Sequence, residues 1–254
     1  MSKELVQKQF GAHAAAYATS RVHAQGASLK RLVELIQPQA DWRVLDVATA
    51  AGHTAYAFAP HVAHVTATDI TPEMIPVAAK LAAERGITNV TLETADAESL
   101  PYPDGSFDLV TCRIAPHHFP HVDRFVSESV RVLRSGGILA VVDNVVPDDV
   151  TAGDYINAFE KLRDPSHGRA LSVAEWLTLF NQAGLAVFHH EVAPKSMEFT
   201  PWAERMGASL ETIAELRRLL LEAPESAAAF FRLTQSDDEL YFNLDEAIIL
   251  GRKA

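Results

Sequence analysis

Between residues 42 and 145, short apolar runs alternate with amphipathic runs, and no other feature constrains the fold of this chain as tightly. The run Trp42-Arg43-Val44-Leu45-Asp46-Val47-Ala48 opens the series and suits a buried strand. Strand-like runs follow at 63–68, 89–94, 107–113 and 137–143, with helix-like runs at 53–59, 72–85 and 120–134 between them. This order predicts a parallel sheet with helices on both faces, because each parallel connection must cross back over the sheet. The punctuation agrees. Thr71 can cap a helix whose first residue is Pro72, and Gly86 stands where that helix should end. Ser172 and Glu175 form a capping-box pattern ahead of Trp176, Leu179 and Phe180, with Gly184 after them. Leu29, Leu32, Val33 and Ile36 keep helical spacing before Pro38, so the opening 37 residues read as helical. Further strands are expected at 185–192 and 240–250, and 194–237 between them reads as a mostly helical addition over the sheet.

Composition excludes several classes. Apolar residues make up 48% of the chain and charged residues 22%, enough for a sizeable core in one continuous domain. A formal charge of −11 opposes phosphate backbones and anionic lipid, so no nucleic-acid or membrane-surface partner is expected. The stretch 47–68 lacks Asp, Glu, Lys and Arg, but Gly52, His53, Pro60, His61 and His64 interrupt it, and no membrane span is expected. One cysteine, Cys112, allows no intrachain disulfide, reads as an inert core residue and fits a cytoplasmic setting; no apolar secretory segment opens the chain. His117, His118 and His121 cluster, yet Pro116 and Pro120 break the i, i+4 spacing and no carboxylate lies among them, so no metal is expected.

In open parallel sheets ligands bind beyond the carboxyl ends of the strands. The first strand ends in Asp46 and the small-residue loop Ala48-Thr49-Ala50-Ala51-Gly52, where a ligand can approach backbone and helix amides. The second ends in Asp69, 23 residues after Asp46, a spacing suited to a carboxylate on two ribose hydroxyls; the alternative is a solvated helix cap. The third ends near Asp96-Ala97, where a carboxylate could accept from an adenine amino group or simply shape a turn. The fourth ends at Arg113, followed by His117 and His118, imidazoles that would serve as a general base or merely line the pocket. Together these ends describe an adenosine-containing ligand.

The motifs carrying a family resemblance are Val44 to Gly52, Asp69-Ile70-Thr71-Pro72-Glu73-Met74, Asp96-Ala97-Glu98-Ser99-Leu100-Pro101, Pro103 to Asp108 and Arg131 to Gly137. In that order they resemble class I S-adenosylmethionine (SAM)-dependent methyltransferases, specifically the ubiquinone/menaquinone-biosynthesis-like small-molecule branch. Phe10-Gly11 to Tyr17 is similar to the N-terminal lid of such enzymes. The resemblance implies a doubly wound α/β, Rossmann-like fold with a seven-stranded, mostly parallel sheet whose last strand is antiparallel. It divides one domain into a lid at 1–37, a SAM-binding core at 38–192, a helical insertion at 193–237 over the active site and a final strand at 238–254. It implies SAM as cofactor, contacted by Tyr17, Asp46, Ala48, Gly52, Asp69, Ile70, Met74, Asp96, Ala97 and Arg113, and a small, hydrophobic methyl acceptor served by His117 or His118. A homodimer is the candidate assembly.

The departure from the family lies in the loop, where Ala48 and Ala50 replace glycines. Each added Cβ narrows the approach to the methionine moiety and removes easy access to positive φ, so Ala50 is expected to cost cofactor affinity without abolishing binding. Two rivals stay open. A nicotinamide oxidoreductase wants G-x-G-x-x-G, and the frame here reads Ala48, Ala50, His53. A non-catalytic adenosyl-ligand-binding or scaffold protein of the same fold shares every feature above.

Overall fold

The computed structural model describes residues 2–18, 26–237 and 239–254, apart from the side chains of residues 12, 13 and 15–18. The apolar runs become strands β1 (Arg43–Val47), β2 (His64–Asp69), β3 (Val90–Thr94), β4 (Phe107–Arg113) and β5 (Leu133–Val145). They pair in parallel in the order β3-β2-β1-β4-β5. The order reverses between β1 and β4, which opens a crevice at their carboxyl ends. Strand β6 (Leu185–Glu198) forms the far edge, and β8 (Glu239–Lys253) slots antiparallel between β5 and β6. A short strand β7 (Thr234–Ser236), absent from the expectation of seven, pairs with the start of β8.

Both faces of the sheet are covered, and this explains why the strands read as continuous apolar runs. Neighbouring residues point to opposite faces: Val44, Leu109, Ile138 and Ile248 pack in one cluster, and Leu45, Val110, Leu139 and Ile249 in the other. The first face is covered by α2 (Ala27–Ile36), α3 (His53–Phe58) and α4 (Met74–Glu84). The second carries α5 (Val122–Val132) and α7 (Val173–Gln182), with Phe125, Trp176 and Phe180 fully buried against it. Helix α1 (Lys3–Ala18) precedes them, and α6 (Val150–Arg163) follows β5.

Beyond the carboxyl end of β5, the start of β8 and the end of β6 continue outward and meet α6, α8 (Phe199–Glu204), α9 (Leu210–Leu221) and α10 (Glu225–Phe231). Here a separate aromatic core forms. Phe159 stacks on Trp202 with centroids 5.1 Å apart and planes 10° apart, and Phe231 and Phe242 pack on their edges.

Several expected boundaries move. The helix anticipated from Pro72 begins at Met74, because the Asp69 carboxylate takes the Thr71 amide and Thr71–Met74 closes a turn first. The capping box at Ser172 and Glu175 forms with both bonds. The addition anticipated from 194 starts later, since β6 runs to Glu198, and α6 went unanticipated.

The loop after β1 overturns the expectation that alanine would leave positive φ. Ala48 and Ala50 both sit in the left-handed region, at φ 55° and 47°, beside Gly52 at φ 87°. At Gly52 a Cβ would lie 2.3 Å from the end of the Tyr56 side chain, so any other residue would have to displace it as well as adopt a left-handed φ. A left-handed L-residue costs roughly 1–2 kcal/mol, whereas glycine costs roughly 0.5–1 kcal/mol in chain entropy. Ala48→Gly and Ala50→Gly are therefore expected to stabilise the fold by about 0.5–1 kcal/mol each in urea unfolding. A loss of stability in both variants would contradict the strained-loop account.

Candidate functional site

One cavity lies over the crevice at the carboxyl ends of β1, β2, β4 and β5. Its floor on one side is the loop Ala48–Ala51 with Asp69, Ile70 and Thr71. Asp69 is buried, and its two oxygens accept from the Ala50 amide at 2.9 Å and the Thr71 amide at 2.8 Å. Burial raises the pKa of its carboxyl, and those amides offset the rise only in part, so the net shift is upward. Asp46 braces the loop from below, accepting from Thr49 Oγ1 at 2.5 Å and Thr111 Oγ1 at 2.7 Å. Burial pushes it up to about 6, against the two hydroxyls and the nearby Arg113. Arg113 is buried too and donates through Nε to Thr54 Oγ1 at 3.1 Å.

Helix α1 supplies a roof. Lys3, Val6 and Phe10 line the cavity, and Gln7 donates to the Ile70 carbonyl at 2.8 Å. Lys3 lies 2.6 Å from Asp96 and 2.7 Å from Glu98, so a cation from the first helix turn engages the carboxylate expected to face adenine. Partial burial lowers the Lys3 pKa, but the two carboxylates outweigh it and the net shift is upward. Ala97 is buried in the wall beside them.

At the other end of the crevice, three imidazoles meet. His117 Nδ1 lies 2.6 Å from Asp143 Oδ1, and the other Asp143 oxygen accepts from the His117 amide at 2.9 Å. Burial lowers the His117 pKa, but the Asp143 charge and hydrogen bond more than compensate and hold it above the ordinary value. His118 Nδ1 lies 2.8 Å from the Ser166 carbonyl, which can only accept, so Nδ1 carries the hydrogen and Nε2 a lone pair. Burial and the neighbouring His117 push His118 down to about 3. His167 has its Nε2 2.9 Å from Asn157 Oδ1, an oxygen that also accepts from the Ala170 amide, and burial drives it down to about 2. The set therefore contains one imidazole tuned to hold a proton and two tuned to stay neutral.

Of the residues anticipated from sequence, Ala48, Asp69, Ile70, Asp96, Ala97, Arg113, His117 and His118 line this one cavity. Asp46, Gly52 and Met74 are not among the lining residues: the first two shape the loop, and Met74, the first residue of α4, is fully buried. The side chain of Tyr17 lies outside the described residues. Sequence reading missed Asp143, His167, Glu160, Arg163 and Lys195. The strand-end rule, carried on to β5, would have reached Asp143; the others depend on α6, on the turn after it and on the extension of β6, where no motif stands. Among the described residues no three His, Cys, Asp or Glu side chains are arranged to hold a metal ion.

Comparison with known proteins assigns this arrangement. Residues 45–141 match the model of a methyltransferase domain. Across 96% of this chain and 97% of the relative, the sequence is 36% identical to the uncharacterized methyltransferase YcgJ of Bacillus subtilis. The crystal structure of the Bacillus subtilis YcgJ protein superposes with a TM-score of 0.84 at 36% identity, over 89% of this chain and 97% of that one. The ubiquinone/menaquinone biosynthesis C-methyltransferase UbiE of Zymomonas mobilis is 36% identical over 41% of this chain and 43% of its own length. With a likeness that spans 96% of this chain and 97% of the relative, the chain belongs to the class I SAM-dependent methyltransferases and is an enzyme.

Proposed function

We propose that this enzyme methylates a small molecule, with SAM held over β1, β2 and β3 and the acceptor between the histidine cluster and the helical additions. The observation that carries this reading is the continuity of one cavity from Asp69 and the β1 loop to the His117–Asp143 pair. The residues present fit the cofactor: the loop keeps a glycine-like backbone at Ala48 and Ala50, and a buried carboxylate stands at the end of β2. When bound, SAM supplies an electrophilic methyl group on a sulfonium leaving group.

On this reading Asp69 accepts from the ribose hydroxyls while it keeps the Ala50 and Thr71 amides. Ile70 and Ala97 flank the base, and Arg113, held by Thr54, faces the methionine end. Residues 1–37 act as the lid and 193–237 as a cover over the acceptor, with 38–192 as the core and 238–254 as the closing strand. Support for the lid comes from Lys3, Val6 and Phe10 in the cavity wall. His117 is the better base of the two anticipated. Asp143 fixes its Nδ1 hydrogen and leaves Nε2 to take a proton, whereas His118, pushed to about 3, is too weakly basic to hold one near neutrality. His118 instead meets Phe10 edge-on at 4.9 Å, linking the lid to the cluster. The single thiol, Cys112, is buried in β4, and a cytoplasmic setting accords with it. No helix among the described residues is long and apolar enough to cross a membrane. A non-catalytic adenosyl-binding role has no observation in its favour.

Asp69→Ala should weaken S-adenosylhomocysteine binding by roughly 1.5–3 kcal/mol, the worth of hydrogen bonds to a charged group. Calorimetry on the folded variant checks this, and an unchanged Kd would remove Asp69 from the cofactor site. A second expectation concerns protons. The Asp143 charge and hydrogen bond hold the His117 pKa above about 6.5, so Asp143→Asn leaves burial opposed only by the lesser Glu160 and Asp164 charges and should lower it. The protonated pair also stabilises the fold below the unfolded imidazole pKa, a contribution lost as pH rises through the folded value. Titration of the His117 ring followed by NMR reads the shift, and an unmoved midpoint in Asp143→Asn would refute the pairing.

A further inference from the structure

We infer that the methyl acceptor is an amphipathic carboxylate, seated with its charge on Arg163 and Lys195 and its apolar body against Met197, Trp202 and Leu244. This rests on the methyltransferase reading, because it fills the half of the same cavity that SAM leaves to the acceptor.

The chain carries a net charge of −11, yet this half of the cavity gathers Arg163, Lys195 and Arg205 against two acids, Glu160 and Asp164. Asp164 is engaged within its own turn, and Glu160 through one oxygen. Asp164 accepts from the Ser166 amide at 2.8 Å and from Ser166 Oγ at 2.5 Å, which shapes the turn that holds His118. Glu160 meets Arg163 through one oxygen only, Oε2 to Nη2 at 3.2 Å. Arg163 is 12% exposed, and its guanidinium lies 4.7 Å over the Trp202 ring, a contact that ties it to the apolar wall. Its Nε is buried with no hydrogen-bond partner among the described residues, and so is Glu160 Oε1. Arg163 lines the cavity, and a guanidinium in its wall suits a carboxylate, which a planar fork binds best.

Lys195 completes the subsite from β6. Its Nζ donates to Asn144 Oδ1 at 2.7 Å and lies 3.6 Å from Glu246, leaving a third N–H on the ammonium. Met197, Trp202 and Leu244 line the same half, and all three belong to the aromatic and aliphatic core of the additions. A ligand with one anionic end and an apolar body matches both surfaces.

The test uses the full chain saturated with S-adenosylhomocysteine and three probes on one scaffold: 3-(4-hydroxyphenyl)propionate, its amide, and 4-(3-aminopropyl)phenol. Ligand-observed NMR titration should show the acid binding at least tenfold tighter than the amide or the amine. That preference should vanish in Arg163→Gln and in Lys195→Gln, while S-adenosylhomocysteine affinity stays unchanged; if Arg163→Gln fails to fold, Lys195→Gln decides. Equal binding of acid and amide, no binding of the acid, or a preference that survives the substitutions would overturn the proposal, and a tighter amine would assign the subsite to Glu160. Failure of the wild-type chain to bind S-adenosylhomocysteine would instead refute the methyltransferase reading on which it stands.

Discussion

The carboxylate of Asp69 joins the two loops on which the binding end of this molecule depends. One oxygen takes the Ala50 amide from the loop after β1, and the other takes the Thr71 amide from the loop after β2. Neither loop has a strand partner at that point. Asp46 repeats the device one layer below through Thr49 and Thr111. The magnitudes favour the closed loop: each left-handed alanine costs roughly 1–2 kcal/mol, and each hydrogen bond to a charged group returns roughly 1.5–3 kcal/mol. The glycine-like backbone is thus held by its acceptors even where the glycines are gone.

The two halves of the cavity have different origins. The half proposed for the cofactor is made of strand ends, where geometry follows from the sheet and backbone and short side chains form the wall. The half proposed for the acceptor is made by α6 and the outward extensions of β6 and β8, stapled by the stack of Phe159 on Trp202. Such a division lets one sheet serve many acceptors, because changes in the additions leave the strand ends untouched. The histidine cluster stands at the joint. His117 is tied to the sheet through Asp143, while His118 and His167 are tied to the turn and helix of the addition through Ser166 and Asn157.

Strand runs were legible in the sequence because burial on both sheet faces writes a continuous apolar signal, and the capping box at Ser172 was legible because its two bonds are local. The position of Asp69 at the end of β2 was legible for the same local reason: strand, acid, then a turn. The acceptor half was not. Helix α6 interleaves Tyr155, Ile156 and Phe159 with Gly153 and Asp154, so no clean apolar stripe marks it, although Asp149 caps it. Arg163, Lys195 and Trp202 come together only through tertiary packing of segments far apart in the chain. The left-handed alanines were misjudged because intrinsic preference was weighed without the hydrogen bonds that override it.

The most direct test is a crystal structure of the chain with S-adenosylhomocysteine bound. The account predicts that both ribose hydroxyls donate to the Asp69 carboxylate while the Ala50 and Thr71 amides remain on it and Ala48 and Ala50 stay left-handed. A ribose placed away from Asp69, or a loop that abandons Asp69 to admit the ligand, would contradict it.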